Sequence, residues 1–118
     1  MDEHRRETRK QIMAFTLVYD DRGKLLGYLA NLTHQGVMVI GEKPLAVNSA
    51  VTLDIEFPDE LPGGLARKLV IAARVVRCVP DVETPEEFNI GFEFSGITPE
   101  HTRIIEALLD RYHFKYKD

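Results

Sequence analysis

The sequence contains very little cysteine, which limits how the fold can be held together. Cys78 is the single cysteine among 118 residues, so no disulfide can form within the chain. Such a chain is compatible with a reducing compartment. Long apolar runs are also missing, since no stretch approaches the ~20 residues needed to span a bilayer. The first residues, MDEHRRETRKQ, lack the apolar core of a secretory signal. We therefore expect a cytoplasmic protein that does not insert into a membrane.

An overall excess of positive charge is absent as well. The chain has 15 Lys and Arg against 19 Asp and Glu, a formal net charge of -4. A large nucleic-acid interface needs a basic face, so we expect no nucleic-acid partner. A small anionic ligand needs only a local basic cluster. The stretch HRRETRK at residues 4–10 supplies one, with three arginines and one lysine.

Residue patterns of catalysis and metal binding are also missing. The sequence shows no paired catalytic acids, no nucleophile beside a base, and no phosphate-binding glycine loop ending in lysine. The histidines at 4, 34, 101 and 113 have no metal-ligand spacing. We expect a noncatalytic protein that needs no metal and no cofactor.

The length favours one domain preceded by a short arm. Residues 1–11 include only Met1 as an apolar side chain, so they cannot bury enough surface to fold alone. We expect them to form a flexible basic arm. Residues 12–118 then form the single folded domain.

Most of that domain shows the patterns of β-strands, which are period-two alternation and short β-branched runs. Arg74 and Arg77 lie three residues apart within one such pattern, so simple alternation predicts them on opposite faces. A polar turn at residues 20–23 joins the first two strands as a hairpin. The six strand-like stretches are residues 12–19, 25–33, 36–40, 51–57, 69–79 and 88–94.

The end of the chain changes to the period of a helix. We predict a helix over residues 98–114, with Thr98 as N-cap and Pro99 in the first helical position. Short strands followed by one helix indicate an α+β fold that is mainly β. Antiparallel pairing into a six-stranded barrel would leave no exposed edge, and the helix would plug or flank one end. The apolar face of the helix consists of Ile104, Ile105, Leu108, Leu109 and Tyr112.

Two short motifs lie before and after the predicted hairpin. Arg5 and Arg9 form an RxxxR pattern. Asn31, Thr33 and Gly36 fit a (D/N)xSxxG pattern with threonine in place of serine. With the predicted barrel, and with the late strand FNIGFEF and its central glycine, this order resembles a PilZ domain over nearly the whole chain.

PilZ domains are bacterial receptors for cyclic di-GMP, so the resemblance implies a second-messenger receptor. In that family the RxxxR arm wraps around the ligand and the second motif forms the floor of the site. The resemblance makes Arg77 a candidate for stacking on the ligand, and His34 lies within the same region. The ligand residues that it implies are Arg5, Arg6 and Arg9 in the arm, with Asn31 at a guanine edge, Thr33 supplying a hydroxyl, and Gly36 allowing close backbone approach.

Two alternatives and several further properties remain open at the level of the sequence. Arg6 and Lys10 have the same spacing as Arg5 and Arg9, so the register of the first motif has two readings. The chain could instead be a PilZ-like protein-interaction module that does not bind nucleotide, and Thr33 keeps that hypothesis open. The sequence also leaves open the downstream protein partner, the oligomeric state, and whether one or two ligand molecules bind.

Overall fold

Six antiparallel strands close into a barrel. The computed structural model describes residues 11–12, 16–58, 61–64 and 67–113. The barrel strands are β2 Leu17–Tyr19, β3 Leu25–Leu32, β4 Gly36–Gly41, β5 Ala50–Glu56, β6 Lys68–Pro80 and β7 Phe88–Phe94. Around the barrel they follow the order β2-β3-β4-β7-β6-β5. The remaining elements are β1 Gln11–Ile12, a 3-10 turn at Pro62–Gly64, α1 Pro99–Arg111 and β8 Tyr112–His113. The predicted fold class, a mainly β α+β barrel with one C-terminal helix, is confirmed.

Strand alternation explains how the barrel forms its core. In β5 the alternating residues Leu53 and Ile55 are buried while Glu56 is exposed. In β7, Ile90, Phe92 and Phe94 are buried on one face, as the pattern FNIGFEF predicts. Closing the sheet satisfies the backbone groups that an open edge would leave unpaired.

The hairpin between β2 and β3 forms at the predicted polar turn. The Asp20 carbonyl accepts a hydrogen bond from Gly23 N at 3.0 Å, and Gly23 adopts a positive φ of 82°. Asp20 Oδ1 also accepts from Lys24 N and Arg22 N, each at 2.9 Å. Hydrogen bonding from the Lys24 backbone, aided by that from Arg22, lowers the pKa of Asp20 from its ordinary value.

Helix α1 covers one end of the barrel. Ile104, Ile105 and Leu108 are buried in the same cluster as Phe57 and Leu61 from the β5–β6 connection. Because strands run antiparallel, this end also contains the β3–β4 turn. The apolar residues of α1 recur with the period of a helix, so they form one stripe that packs onto the barrel core.

The start of α1 is fixed by a reciprocal cap. Thr98 Oγ1 accepts from His101 N, and His101 Nδ1 accepts from Thr98 N, each at 3.1 Å. Since Nδ1 accepts, Nε2 is the protonated ring nitrogen and donates to the Val70 carbonyl at 2.9 Å. His101 thereby ties the helix to β6.

The helix ends earlier than the predicted residue 114. It ends at Arg111 because Tyr112 has extended backbone, with φ -118° and ψ 155°. Tyr112 and His113 form β8, which pairs in parallel with Gln11 and Ile12 of β1. This pairing starts within the range 1–11 predicted to be the arm, and residues 1–10 lie outside the described part of the chain.

Candidate functional site

The β3–β4 turn is built around the hydroxyl of Thr33. Thr33 N donates to the Gly36 carbonyl at 2.9 Å. Thr33 Oγ1 accepts from Gln35 N and Gly36 N, both at 3.2 Å, and donates to the Gly36 carbonyl at 3.3 Å. A hydroxyl has one proton and two lone pairs, so these contacts use its full capacity. The hydroxyl to which the resemblance gives a ligand role thus shapes the turn in this structure.

Substitutions at Thr33 test this assignment. Thr33→Val keeps the shape but removes the hydroxyl, so two backbone N–H groups lose their acceptor and the protein should lose about 1–2 kcal/mol of unfolding free energy. Thr33→Ser keeps the hydroxyl and should lose less than ~0.5 kcal/mol. Urea unfolding of both variants measures the difference. Equal stability of the two variants would contradict the role given to the hydroxyl.

Asn31 reaches the outer surface through a β-bulge. Leu29 pairs with Val39 and Leu32 pairs with Val37, and all four side chains are buried. The register shifts between Leu29 and Asn31, which leaves the residue between them as the extra one. Strict alternation without a bulge would place Asn31, two residues after Leu29, on the same inward face. The bulge shifts the alternation by one residue, so Asn31 faces outward.

Gly36 is required by the close approach of a neighbouring strand. A Cβ at this position would overlap the Phe92 carbonyl oxygen and lie 3.3 Å from Glu93 Cα. Gly36 is not among the glycines with positive φ. The missing side chain therefore lets β4 and β7 approach each other beside the turn.

Asn31, Thr33 and Gly36 line one open groove on the outside of the barrel, with a volume of about 290 Å³. The structure thus brings Asn31, Thr33 and Gly36 together, as the spacing of the second motif suggests. The predicted arm residues Arg5, Arg6 and Arg9 lie outside the described residues. The groove is lined by Asn31, Thr33, Gln35, Gly36, Val37, Met38, Val76, Gly91, Phe92 and Glu93.

A second bulge borders the groove on β6. Val75 pairs with Phe92 and Arg77 pairs with Gly91, so Val76 is the extra residue. The bulge reverses the alternation, and Arg77 lies exposed on the same outer face as Arg74. The prediction that the two arginines lie on opposite faces is therefore wrong. Bulges often occur where a functional side chain is redirected.

The groove also contains an acidic residue that the sequence analysis did not single out. Glu93 pairs across strands with Gly36 on one side and Arg74 on the other. Arg74 Nη2 donates to Glu93 Oε1 at 2.8 Å, and Arg74 Nη1 donates to Asn48 Oδ1 at 2.8 Å. The alternation of FNIGFEF places Glu93 outward, but only the strand register places it in the groove.

His34 points toward the helix. Its Nε2 lies 3.6 Å from Glu106 Oε2, and both side chains are exposed. This contact joins the β3–β4 turn to α1. Within the described residues, no group of three or more His, Cys, Asp or Glu side chains could hold a metal ion. In the same part of the chain, no helix has the length and apolar character to cross a membrane.

A larger cavity of about 470 Å³ lies at the other end of the barrel. Its rim includes Asp20 and Lys24 of the β2–β3 turn and Glu87 before β7. The motif residues Asn31, Thr33 and Gly36 do not line it. The motif-lined groove is therefore the better candidate, although it is smaller and more open.

Of three comparisons with known proteins, one identifies a family for the chain. Comparisons with curated proteins and with solved structures gave no significant match. The family model of the PilZ domain matches residues 3–111, which is nearly the whole chain. The chain therefore belongs to the PilZ domain family, a family of cyclic di-GMP-binding modules.

Proposed function

We propose that this protein is a noncatalytic receptor for cyclic di-GMP that binds the dinucleotide between its RxxxR arm and the groove on the barrel. The observation that supports this most directly is the grouping of Asn31, Thr33 and Gly36 along one outer groove. In a member of the PilZ family, these residues occupy the second of the two ligand motifs. The arm residues Arg5 and Arg9, with Arg6 between them, supply the first motif in sequence.

The point at which the RxxxR arm joins the barrel domain supports the proposal that the arm folds over this groove. β1 starts at Gln11, two residues after Arg9, and pairs with β8 directly after α1. Glu106 of α1 contacts the β3–β4 turn through His34. From Glu106 to Arg111, its last residue, the helix rises about 8 Å. An arm extended from residue 11 back to residue 5 would span about 20 Å, more than twice that helical rise.

The ligand chemistry favours arginine in the arm. The planar guanidinium donates two parallel hydrogen bonds to phosphate or to guanine O6 and N7, and its face stacks on a base. Each charge-assisted hydrogen bond contributes about 1.5–3 kcal/mol. Ordering the backbone costs about 1–2 kcal/mol per residue. Several such bonds are needed for closure, so we expect the ligand to order the arm.

The ordered arm would present a new surface to a downstream protein. Ligand binding then acts as a population shift, limited by the difference in affinity between the two states. The second candidate function is a PilZ-like interaction module that does not bind nucleotide. The Thr33 geometry favours it in one respect, because the hydroxyl is already engaged within the turn.

Calorimetry with cyclic di-GMP tests the proposal. We expect micromolar or tighter binding by the wild type. Arg9→Ala should weaken it at least ~30-fold, which corresponds to about 2 kcal/mol. Lys10→Ala removes the same charge one residue later and should weaken it less than ~5-fold if Arg5 and Arg9 are the ligand pair.

The other outcomes point to specific alternatives. Absence of both heat and thermal shift in the wild type would favour the interaction module. A larger loss in Lys10→Ala than in Arg9→Ala would assign the motif to Arg6 and Lys10. Steady hydrolysis of the dinucleotide would overturn the noncatalytic role. The measured stoichiometry also reports whether one or two ligand molecules bind.

A further inference from the structure

The groove proposed to bind a ligand with two phosphates also contains a carboxylate, that of Glu93. Its negative charge needs a physical explanation. Glu93 lines the groove and sits directly opposite Gly36 in the register of β4 and β7. Its side chain is 57% exposed, so it can contact a ligand. An unpaired carboxylate here would repel phosphate oxygens. Its presence is therefore useful only if it is neutralised and if it recognises something other than phosphate.

Arg74 provides the neutralisation. Its Nη2 contacts Glu93 Oε1 at 2.8 Å, while its Nη1 is held by Asn48 Oδ1 at the same distance. Asn48 adopts a left-handed φ of 77° in the β4–β5 connection, so the loop is shaped to meet Arg74. An exposed ion pair contributes little to stability. It does fix the position of the Glu93 carboxylate, which retains lone pairs for further hydrogen bonds.

The surface beside Glu93 has room for a flat ring. Gly91 lies on the same outer face of β7, about 7 Å along the strand from Glu93. It is paired with Met38 on one side and with Arg77 on the other, and Val76 lies beside it. A Cβ at Gly91 would lie 3.6 Å from Val76 Cγ2 and 3.5 Å from Arg77 Cβ. The missing side chain thus leaves a shallow depression with apolar sides.

A carboxylate at the end of such a depression matches one purine in particular. Guanine has two adjacent donors, N1–H and the 2-amino group, and a carboxylate offers two acceptor oxygens. Adenine has an acceptor at N1 and no 2-amino group, so it would face the carboxylate with unpaired acceptors. The pairing therefore discriminates by leaving polar groups unsatisfied when the wrong base is present.

We infer that Glu93 determines guanine specificity in this groove, with one base lying over Gly91 and donating N1–H and its 2-amino group to the carboxylate. This rests on the proposed function, since it concerns the same ligand. Asn31 lies two strands away, and strand spacing puts it about 12 Å from Glu93. Each of these two side chains is thus placed to meet a different guanine of the same dinucleotide.

The test compares cyclic di-GMP with cyclic di-IMP, which lacks only the 2-amino groups. The measured quantity is the dissociation constant of cyclic di-IMP divided by that of cyclic di-GMP. We expect the ratio to fall about tenfold in Glu93→Gln relative to the wild type, because a charged hydrogen bond is lost with one ligand and not with the other. Glu56→Gln removes the same charge from an exposed position on β5 and should leave the ratio unchanged.

The outcomes separate this inference from the proposed function. Wild-type protein that binds neither dinucleotide would overturn both. Binding by the wild type with an unchanged ratio in Glu93→Gln would overturn the inference and leave the receptor standing. If Glu93→Gln weakens the binding of both dinucleotides equally, the inference is likewise overturned, and the role of Glu93 is limited to its ion pair with Arg74.

Discussion

Gly36→Ala should destabilise the protein by about 3 kcal/mol or more. The new methyl group would overlap the Phe92 carbonyl oxygen and lie 3.1 Å from the Phe92 carbonyl carbon. These are backbone atoms of a paired strand, so no side-chain rotation can relieve the overlap. Strands β4 and β7 would have to separate where the groove is formed. Guanidinium unfolding measures the loss, which is a large fraction of a typical total stability of about 5–15 kcal/mol.

Gly91→Ala is the matched control for this substitution. Both glycines lie in central barrel strands, and neither is among those with positive φ. At Gly91 the nearest atom to an added Cβ is Arg77 Cβ at 3.5 Å, an ordinary contact. We expect a change within about 0.5 kcal/mol. Similar unfolding free energies for the two variants would show that the packing of β4 against β7 does not require a glycine at position 36.

The sequence predicts the barrel well because most strands have one buried face. Alternation in residues 51–57 and 88–94 appears in the structure as β5 and β7 with inward apolar side chains. The helix is predicted equally well. Thr98 caps it, as the sequence indicates, and the apolar residues spaced at the helical period are those that pack on the core. These features are local, and each follows from the period of one segment.

The two bulges could not be predicted in this way. A bulge depends on the register of the partner strand, and the strand's own sequence only shows that alternation is interrupted. In β3 the apolar sequence Leu29, Ala30, then Leu32 gives such a hint. In β6 the hint is weaker, and simple counting put Arg77 on the wrong face. The short pair β1 and β8 has no period at all, because each strand has two residues.

The candidate site was predicted only as far as its sequence motif. Asn31, Thr33 and Gly36 lie within one turn region, so their proximity follows from chain connectivity. Gly91 and Glu93 reach them because β4 pairs with β7, more than 50 residues later. The strand order of a barrel is a global property, and no single segment encodes it. The side of the groove formed by Gly91 and Glu93 is therefore recognised only in the folded structure.

The largest stability effect on the helix should come from Leu108→Ala. Leu108 is 0% exposed and belongs to the cluster that joins α1 to the barrel. Removing its side chain should cost about 2–5 kcal/mol, the sum of lost burial and the cavity that remains. Because the helix covers the barrel end that contains the β3–β4 turn, its loosening would also release the contact between His34 and Glu106.

Leu109→Ala separates burial from helix propensity. Leu109 follows on the same helix and is only partly buried against the core. The two substitutions change helix propensity equally, so the difference in unfolding free energy reports how much more packing is lost at Leu108 than at Leu109. We expect Leu109→Ala to cost about 1 kcal/mol, in proportion to its smaller buried area. If the two variants unfold at the same denaturant concentration, α1 is not held to the barrel by its buried stripe, and the β3–β4 turn must be held by other contacts.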